Sequence, residues 1–343
     1  MKKASHFLLI ILAFTNIVSA QVHDPSWKNI ISQKEGGWFS SDTAKAYAEN
    51  VLLYQRDIGG WPKNTQMQKP LTDGQKANLL EEKAEAYGCT TDNGATYMEM
   101  IYLSKMYRQI PDERYKNAFL KGLNYLLEAQ YPNGGWPQFY PLKKGYYSQI
   151  TYNDDSMQHI MDILRDLIHK TGRFSIQPDE ATLARCKVAF DKGIDIIIKT
   201  QYKQNGVLTA WCAQHDTLTL APCQARAYEL PSLSGQESAG LVLVLMSVDN
   251  PSIEVKNAVN AAVAWFEKTK IMGFKEVRFI GKDGKKDRRL EADANAPAVW
   301  ARFMELEDNK PFFCGRDGIK KYSMEEIEQE RRGGYRWHSE GPQ

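Results

Sequence analysis

The sequence is poor in several things that would point to familiar chemistry. It has only five cysteines (Cys89, Cys186, Cys212, Cys223 and Cys314), scattered and with no CxxC pair. That excludes a zinc knuckle and a dense disulfide framework, although Cys212 and Cys223 are spaced so that they could close a loop. No Gly-rich phosphate loop, no GxSxG elbow and no HExxH is present, which removes the usual nucleotide, esterase and metallopeptidase sites. Strand-like alternation is rare. Past the first twenty residues no apolar run approaches membrane length.

Met1 to Ala20 carry a different pattern. Lys2 and Lys3 precede an apolar run from Phe7 to Phe14, and Val18-Ser19-Ala20 offers small residues for cleavage. This predicts a secretory signal and a mature start near Gln21, hence a soluble protein outside the cytoplasm, periplasmic or extracellular. Of the 44 basic residues, removal of Lys2 and Lys3 leaves 42 against 42 acidic ones. A chain of near-zero net charge is a poor candidate for binding nucleic acid or an anionic membrane. The remaining residues, 21–343, can bury one large core or two smaller ones, and a monomer is expected.

The periodicity is mostly helical. Helices are predicted over Ala44–Leu53 (capped by Ser41 or Asp42), Tyr97–Tyr107, Asp112–Ala129, Ser156–His169, Asp179–Thr200, Glu237–Met246 and Ile253–Thr269. Ile150–Tyr152, Glu276–Ile280 and Gly206–Trp211 read as short ribbons, and Lys282–Arg289 as an exposed loop or an acidic-ligand contact. A repeat runs through these helices. Gln55-Arg56-Asp57-Ile58-Gly59-Gly60-Trp61-Pro62 is echoed by Gln130-Tyr131-Pro132-Asn133-Gly134-Gly135-Trp136-Pro137, and more weakly by Gln201 to Gly206 with Trp211. The glutamines lie 75 and 71 residues apart, room for two helices each. Helix pairs repeated in this way bury their faces on one another, so the expected fold class is all-α (mainly α): an incomplete α/α toroid of helical hairpins with a few short strands. The tryptophans either plug helix ends or stack on sugars.

Two acidic turns precede helices, Thr91-Asp92-Asn93-Gly94 and Tyr152-Asn153-Asp154-Asp155. Each reads either as an N-cap or, because the donors are hard oxygens, as part of a cation site of the Ca²⁺ type. His215-Asp216 is a structural pair or an acid–base pair. Arg316 suits a carboxylate ligand, whereas Trp300 to Phe303 is expected to pack. The irregular turn from Gln224 to Ser234, with Arg226 and Glu229, interrupts two helices and is a natural place for function.

Gly59 to Asn64, Asp92 to Thr96, Gly134 to Gln138, Asn153 to Asp155 and Arg226 to Ser232, in this order, resemble the family 10 pectate lyases. The resemblance spans about Trp38 to Tyr322. It implies an (α/α)-toroid enzyme that cleaves polygalacturonate by calcium-assisted anti β-elimination, leaving 4,5-unsaturated oligogalacturonides. It further implies Arg226 as the base at C5, Asn93 and Asp154 as Ca²⁺ ligands with Asp92 and Asp155 nearby, and Arg316 and Lys63 as substrate contacts. Two rivals stand beside it: a toroid glycoside hydrolase with an Asp pair at Asp92 and Asp154 or Asp155, and a non-catalytic glycan-binding protein using Trp61, Trp136 and Trp211 as platforms.

Overall fold

The computed structural model describes residues 25–340, so the signal expected over Met1 to Ala20 lies outside the described residues. Helices α1 (Trp27–Gln33), α2 (Asp42–Tyr54), α3 (Asp73–Glu82), α4 (Tyr97–Gln109), α5 (Glu113–Glu128), α6 (Ser156–Ile168), α7 (Glu180–Thr200), α8 (Gly235–Met246), α9 (Ile253–Thr269) and α10 (Gln329–Gly334) carry the fold. Helix α4 packs on α5, α6 on α7 and α8 on α9. Neighbouring pairs touch along two rows, α4–α6–α8 inside and α2–α5–α7–α9 outside, forming an incomplete α/α toroid. Strands are few and short; the longest pair, Phe274–Ile280 with Lys286–Ala292, is an antiparallel hairpin after α9.

The repeat explains the outer row. At the end of α2 the Gln55 amide donates to Gly59 O and, across the gap, to Ala118 O of α5. Gln130 does the same to Gly134 O and Ala189 O of α7, and Gln201 to Thr209 O and Ala258 O of α9. Each glutamine therefore ties one outer helix to the next. Each tryptophan closes its own helix: Trp61, Trp136 and Trp211 donate Nε1–H to Val51 O, Leu126 O and Ile197 O, carbonyls of the last turns that lack helical partners. Trp300 performs this service for Phe266 O of α9. Among the described residues no further outer helix follows α9, so a fourth glutamine would have nothing to grip. Gly134 is required where it stands: its φ is +98°, and a Cβ would meet Lys192 O at 2.2 Å.

The rings of Trp61, Trp136 and Trp211 are at most 1% exposed, so they do not serve as sugar platforms. Other expectations change too. All five cysteines carry free thiols, with Cys212 Sγ facing Cys223 O at 3.8 Å rather than bonded to Cys223. From Lys286 onward the expected loop 282–289 is strand, with Asp287 and Arg288 buried. Helices α1 and α3 were not anticipated. Trp27 of α1 is buried against Tyr102 and bonded to Glu99, contacts that period counting in a seven-residue helix cannot reveal. Two apolar clusters result: the large one of the toroid, and a smaller one of Phe303, Phe312, Phe313, Cys314, Met324, Ile327 and Trp337.

Candidate active site

The outer helices α2, α5, α7 and α9 are capped by the side chains of Ser41, Asp112, Asp179 and Ser252. The inner helices α4, α6 and α8 start without any side-chain cap, and the turns before α4 and α6 are in contact. The capping explanation of the acidic turns is therefore excluded. In both turns polar residues hold left-handed backbone: Asn93 at φ +52°, Asp154 at +52° and Asp155 at +59°. Asn and Asp tolerate that region better than other side chains, which is why they occur there.

Asp92 is buried; one of its carboxylate oxygens takes Lys63 Nζ, and Oδ1 is left without a hydrogen-bond partner. Asn93 is exposed and donates to Asn64 Oδ1 at 3.0 Å. Asp154 accepts from Asn153 Nδ2 at 2.8 Å and lies 3.7 Å from Arg302. Among the described residues the Asp155 carboxylate has no hydrogen-bond or ion-pair partner. Burial, then Glu237 and Asp154, lift Asp155 to about 6. Burial also raises Asp154, with Glu237 and Asp92 adding to the shift and Arg302 opposing it.

A cluster of arginines gathers around Tyr228. Tyr228 is faced by Arg226 at 5.1 Å, Arg316 at 4.6 Å and Arg331 at 4.2 Å. Glu229 holds Arg226 through Nε at 2.7 Å and through Nη2, and accepts from Tyr335 Oη at 3.1 Å. Those bonds raise the Arg226 pKa. Burial pushes Glu229 up, but the bonds and charge of Arg226, with the charge of Arg302, keep it below the usual carboxylate range. Arg316 is paired with Glu330 at 2.8 Å.

Arg302 joins the halves. It donates to Asn153 Oδ1 at 3.0 Å, lies 3.5 Å from the buried Glu237, and stacks over Tyr335 at 4.6 Å. Burial works against its charge, yet Glu237, Tyr335 and Asp154 hold its pKa up. A continuous chain of contacts thus runs Asp154–Arg302–Tyr335–Glu229–Arg226. A cavity of about 720 Å³ opens beside it, lined by Asn93, Asp154, Asp155, Arg302 and side chains of α1 and α4.

All seven residues singled out by the sequence reading fall into these two halves: Lys63, Asp92, Asn93, Asp154 and Asp155 in one, Arg226 and Arg316 in the other. Arg302, expected to be mere packing, and Glu237 were missed. The available signals were a lone arginine between Ala301 and Phe303 and a glutamate three residues after Ser234. His215 and Asp216 are not a catalytic pair. His215 is fully buried with Nδ1 on Leu220 O, its pKa lowered to about 4 by burial, while Asp216 closes its own turn on Leu218 and Thr219.

Residues 55–343 match the family model of pectic acid lyase. The chain belongs to the pectic acid lyase family. Among solved structures, family 10 polysaccharide lyase from Cellvibrio cellulosa is 36% identical, covering 91% of this chain and 90% of that chain at a TM-score of 0.75. An aspartate-to-alanine mutant of that lyase in complex with trigalaturonic acid is also 36% identical, covering 91% of each chain at a TM-score of 0.76. No curated protein matches the chain. Membership of the pectic acid lyase family makes this chain a lyase. Among the described residues no helix is long and apolar enough to cross a membrane.

Proposed function

We propose that this lyase is an exported pectate lyase that cleaves polygalacturonate by calcium-assisted anti β-elimination, releasing 4,5-unsaturated oligogalacturonides. The observation that carries the reading is the meeting of two uncapped, oxygen-rich turns with an arginine cluster, coupled through Arg302. The trigalaturonic acid complex of the Cellvibrio lyase supports an oligogalacturonate as substrate.

The donor set fits a hard divalent cation. Asn93, Asp154, Asp155 and Asp92 offer amide and carboxylate oxygens from two touching turns, and Asp92 Oδ1 is buried without a partner. Among the described residues no three His, Cys, Asp or Glu side chains are gathered closely enough to hold a metal alone. Bound there, Ca²⁺ supplies charge that offsets the second negative charge built on a uronate as C5 loses its proton.

The protein's own groups do the rest. Arg316 and Lys63 pair with substrate carboxylates, the guanidinium in the bidentate manner. Arg226 takes the C5 proton as the C4–O4 glycosidic bond breaks and the leaving oxygen is protonated by water, which requires a neutral guanidine within hydrogen-bond reach. Glu229 favours the charged form, so the base role requires that ion pair to open before the proton moves. Glu229 itself supports the turn and positions Arg226.

The test is the incubation of the protein with polygalacturonate, with Ca²⁺ or with a chelator. An ultraviolet-absorbing unsaturated end should appear only with Ca²⁺. New reducing ends without that absorbance would mark hydrolysis instead. Arg226→Ala should lose about 10²–10⁴ in turnover, the usual share of a positioned base, while still binding oligogalacturonate.

A further inference from the structure

A cluster between Lys63 and Arg226 has no part in the chemistry above. The loop joining α5 to α6 carries Phe139, Lys143, Tyr146 and Tyr147. Lys143 Nζ sits 4.3 Å from the Tyr147 ring centre and 5.2 Å from that of Phe139. Tyr146 lies on Tyr147, centroids 3.9 Å apart, and Phe139 meets Tyr147 edge-on at 5.3 Å. Lys143 is exposed, both tyrosines are half-buried, and among the described residues no carboxylate pairs with Lys143.

The position is telling. At one end Lys63, the partner of Asp92, has its Nζ 5.5 Å from the Phe139 ring. At the other end Gln149, two residues past Tyr147, reaches the turn that carries Arg226. The platform is also fixed. Gln138 N–H donates to Tyr147 O, Tyr131 Oη to Ser148 O at 2.6 Å, and Gln149 Nε2 to Gln224 O in the Arg226 turn. A half-buried pair of tyrosine rings beside an exposed, unpaired ammonium matches a uronosyl unit, whose C–H face is apolar and whose carboxylate is charged.

We propose that Tyr146, Tyr147 and Lys143 form a galacturonosyl-binding subsite flanking the cleavage point, in which the tyrosines stack on the sugar and Lys143 selects a free carboxylate over a methyl ester. The inference rests on the pectate lyase reading. Lys143 is a specificity residue here and takes no part in proton transfer.

The test compares polygalacturonate with partially methyl-esterified pectin. Lys143→Met should raise KM on polygalacturonate about tenfold, the usual size of one lost charge-assisted contact, with a much smaller change in kcat. It should also narrow the preference for the unesterified polymer. Tyr147→Ala should raise KM on both polymers, and Tyr147→Phe should restore it. If the wild type forms unsaturated ends but Lys143→Met and Tyr147→Ala leave both KM and the ester preference unchanged, the subsite is overturned while the lyase reading stands. If the wild type forms no unsaturated ends from polygalacturonate, both are overturned.

Discussion

Glu229 accepts from two guanidinium nitrogens and the backbone nitrogen of Arg226 and from Tyr335, so one carboxylate sets both the place and the charge of the proposed base. Removing its charge separates the two roles. Glu229→Gln keeps the size of the side chain but withdraws the anion that raises the Arg226 pKa. A base works only when deprotonated, so activity climbs as pH approaches its pKa from below. With that pKa lowered, the climb should occur at lower pH in Glu229→Gln; a kcat/KM profile against pH reads this directly, and an unmoved or upward-moved limb would remove Arg226 as the base. Arg302 poses a different question, because it balances the buried Glu237 at 3.5 Å. Arg302→Met leaves that carboxylate buried without its cation, and such losses cost about 3–5 kcal/mol. Urea unfolding would measure it; a change below about 1 kcal/mol, the level of a surface pair, would show that the bridge is incidental. The turn that carries Arg226 stands out in the sequence because it lies between two helical segments, and the base role comes from the resemblance alone. Arg302 does not stand out, because its partners Asn153 and Glu237 lie far away in the chain and only the closed fold brings them together.

In the outer helices the repeat is architecture. Gln130 satisfies two carbonyls in part-buried bonds, one on its own turn and one on α7. Gln130→Leu preserves the bulk but orphans both, so a loss of about 1–3 kcal/mol is expected, read as a lower urea midpoint at unchanged slope. Catalytic turnover below the transition should be retained, because the glutamine lies in the outer row. A large fall in kcat at full folding would mean that the outer row transmits strain to the site. This level of the fold was the easiest to read in advance: glutamine, glycine and tryptophan recur at fixed offsets from helix ends, and their hydrogen bonds are local to those ends. The inner row was harder. Asp92, Asn93, Asp154 and Asp155 precede helices where caps are expected, and only the structure shows that α4 and α6 start without a side-chain cap while Asn93, Asp154 and Asp155 hold φ above +50°. Lys282 to Arg289 misled for a related reason: charge suggests a loop, yet a hairpin strand can carry charge on both faces and bury Asp287 against Arg332.

Across the whole molecule, the toroid core adjoins a smaller cluster of Phe303, Phe312 and Trp337, and Arg302, next to Phe303, reaches Asp154 and Glu237. The site gathers like charge, and Asp155 shows the consequence. Its folded pKa of about 6 stands above the ordinary value of 3.8. A carboxyl with a raised folded pKa holds its proton more tightly when folded. Its contribution is therefore most favourable in acid, diminishes as pH rises from 3.8 to about 6, and remains a penalty above that. A divalent cation relieves the penalty only where the carboxylate is ionised. Calcium at about a hundredfold excess over its Kd should then stabilise the fold by about 2.7 kcal/mol at pH 7.5, seen as a rise in Tm. Near pH 4.5, where Asp155 is protonated, the same calcium should shift Tm far less. Asp155→Asn should raise Tm at pH 7.5 without calcium and shrink the calcium shift. An equal shift at both pH values, or none at either, would refute a calcium site at these turns without touching the membership of the lyase family.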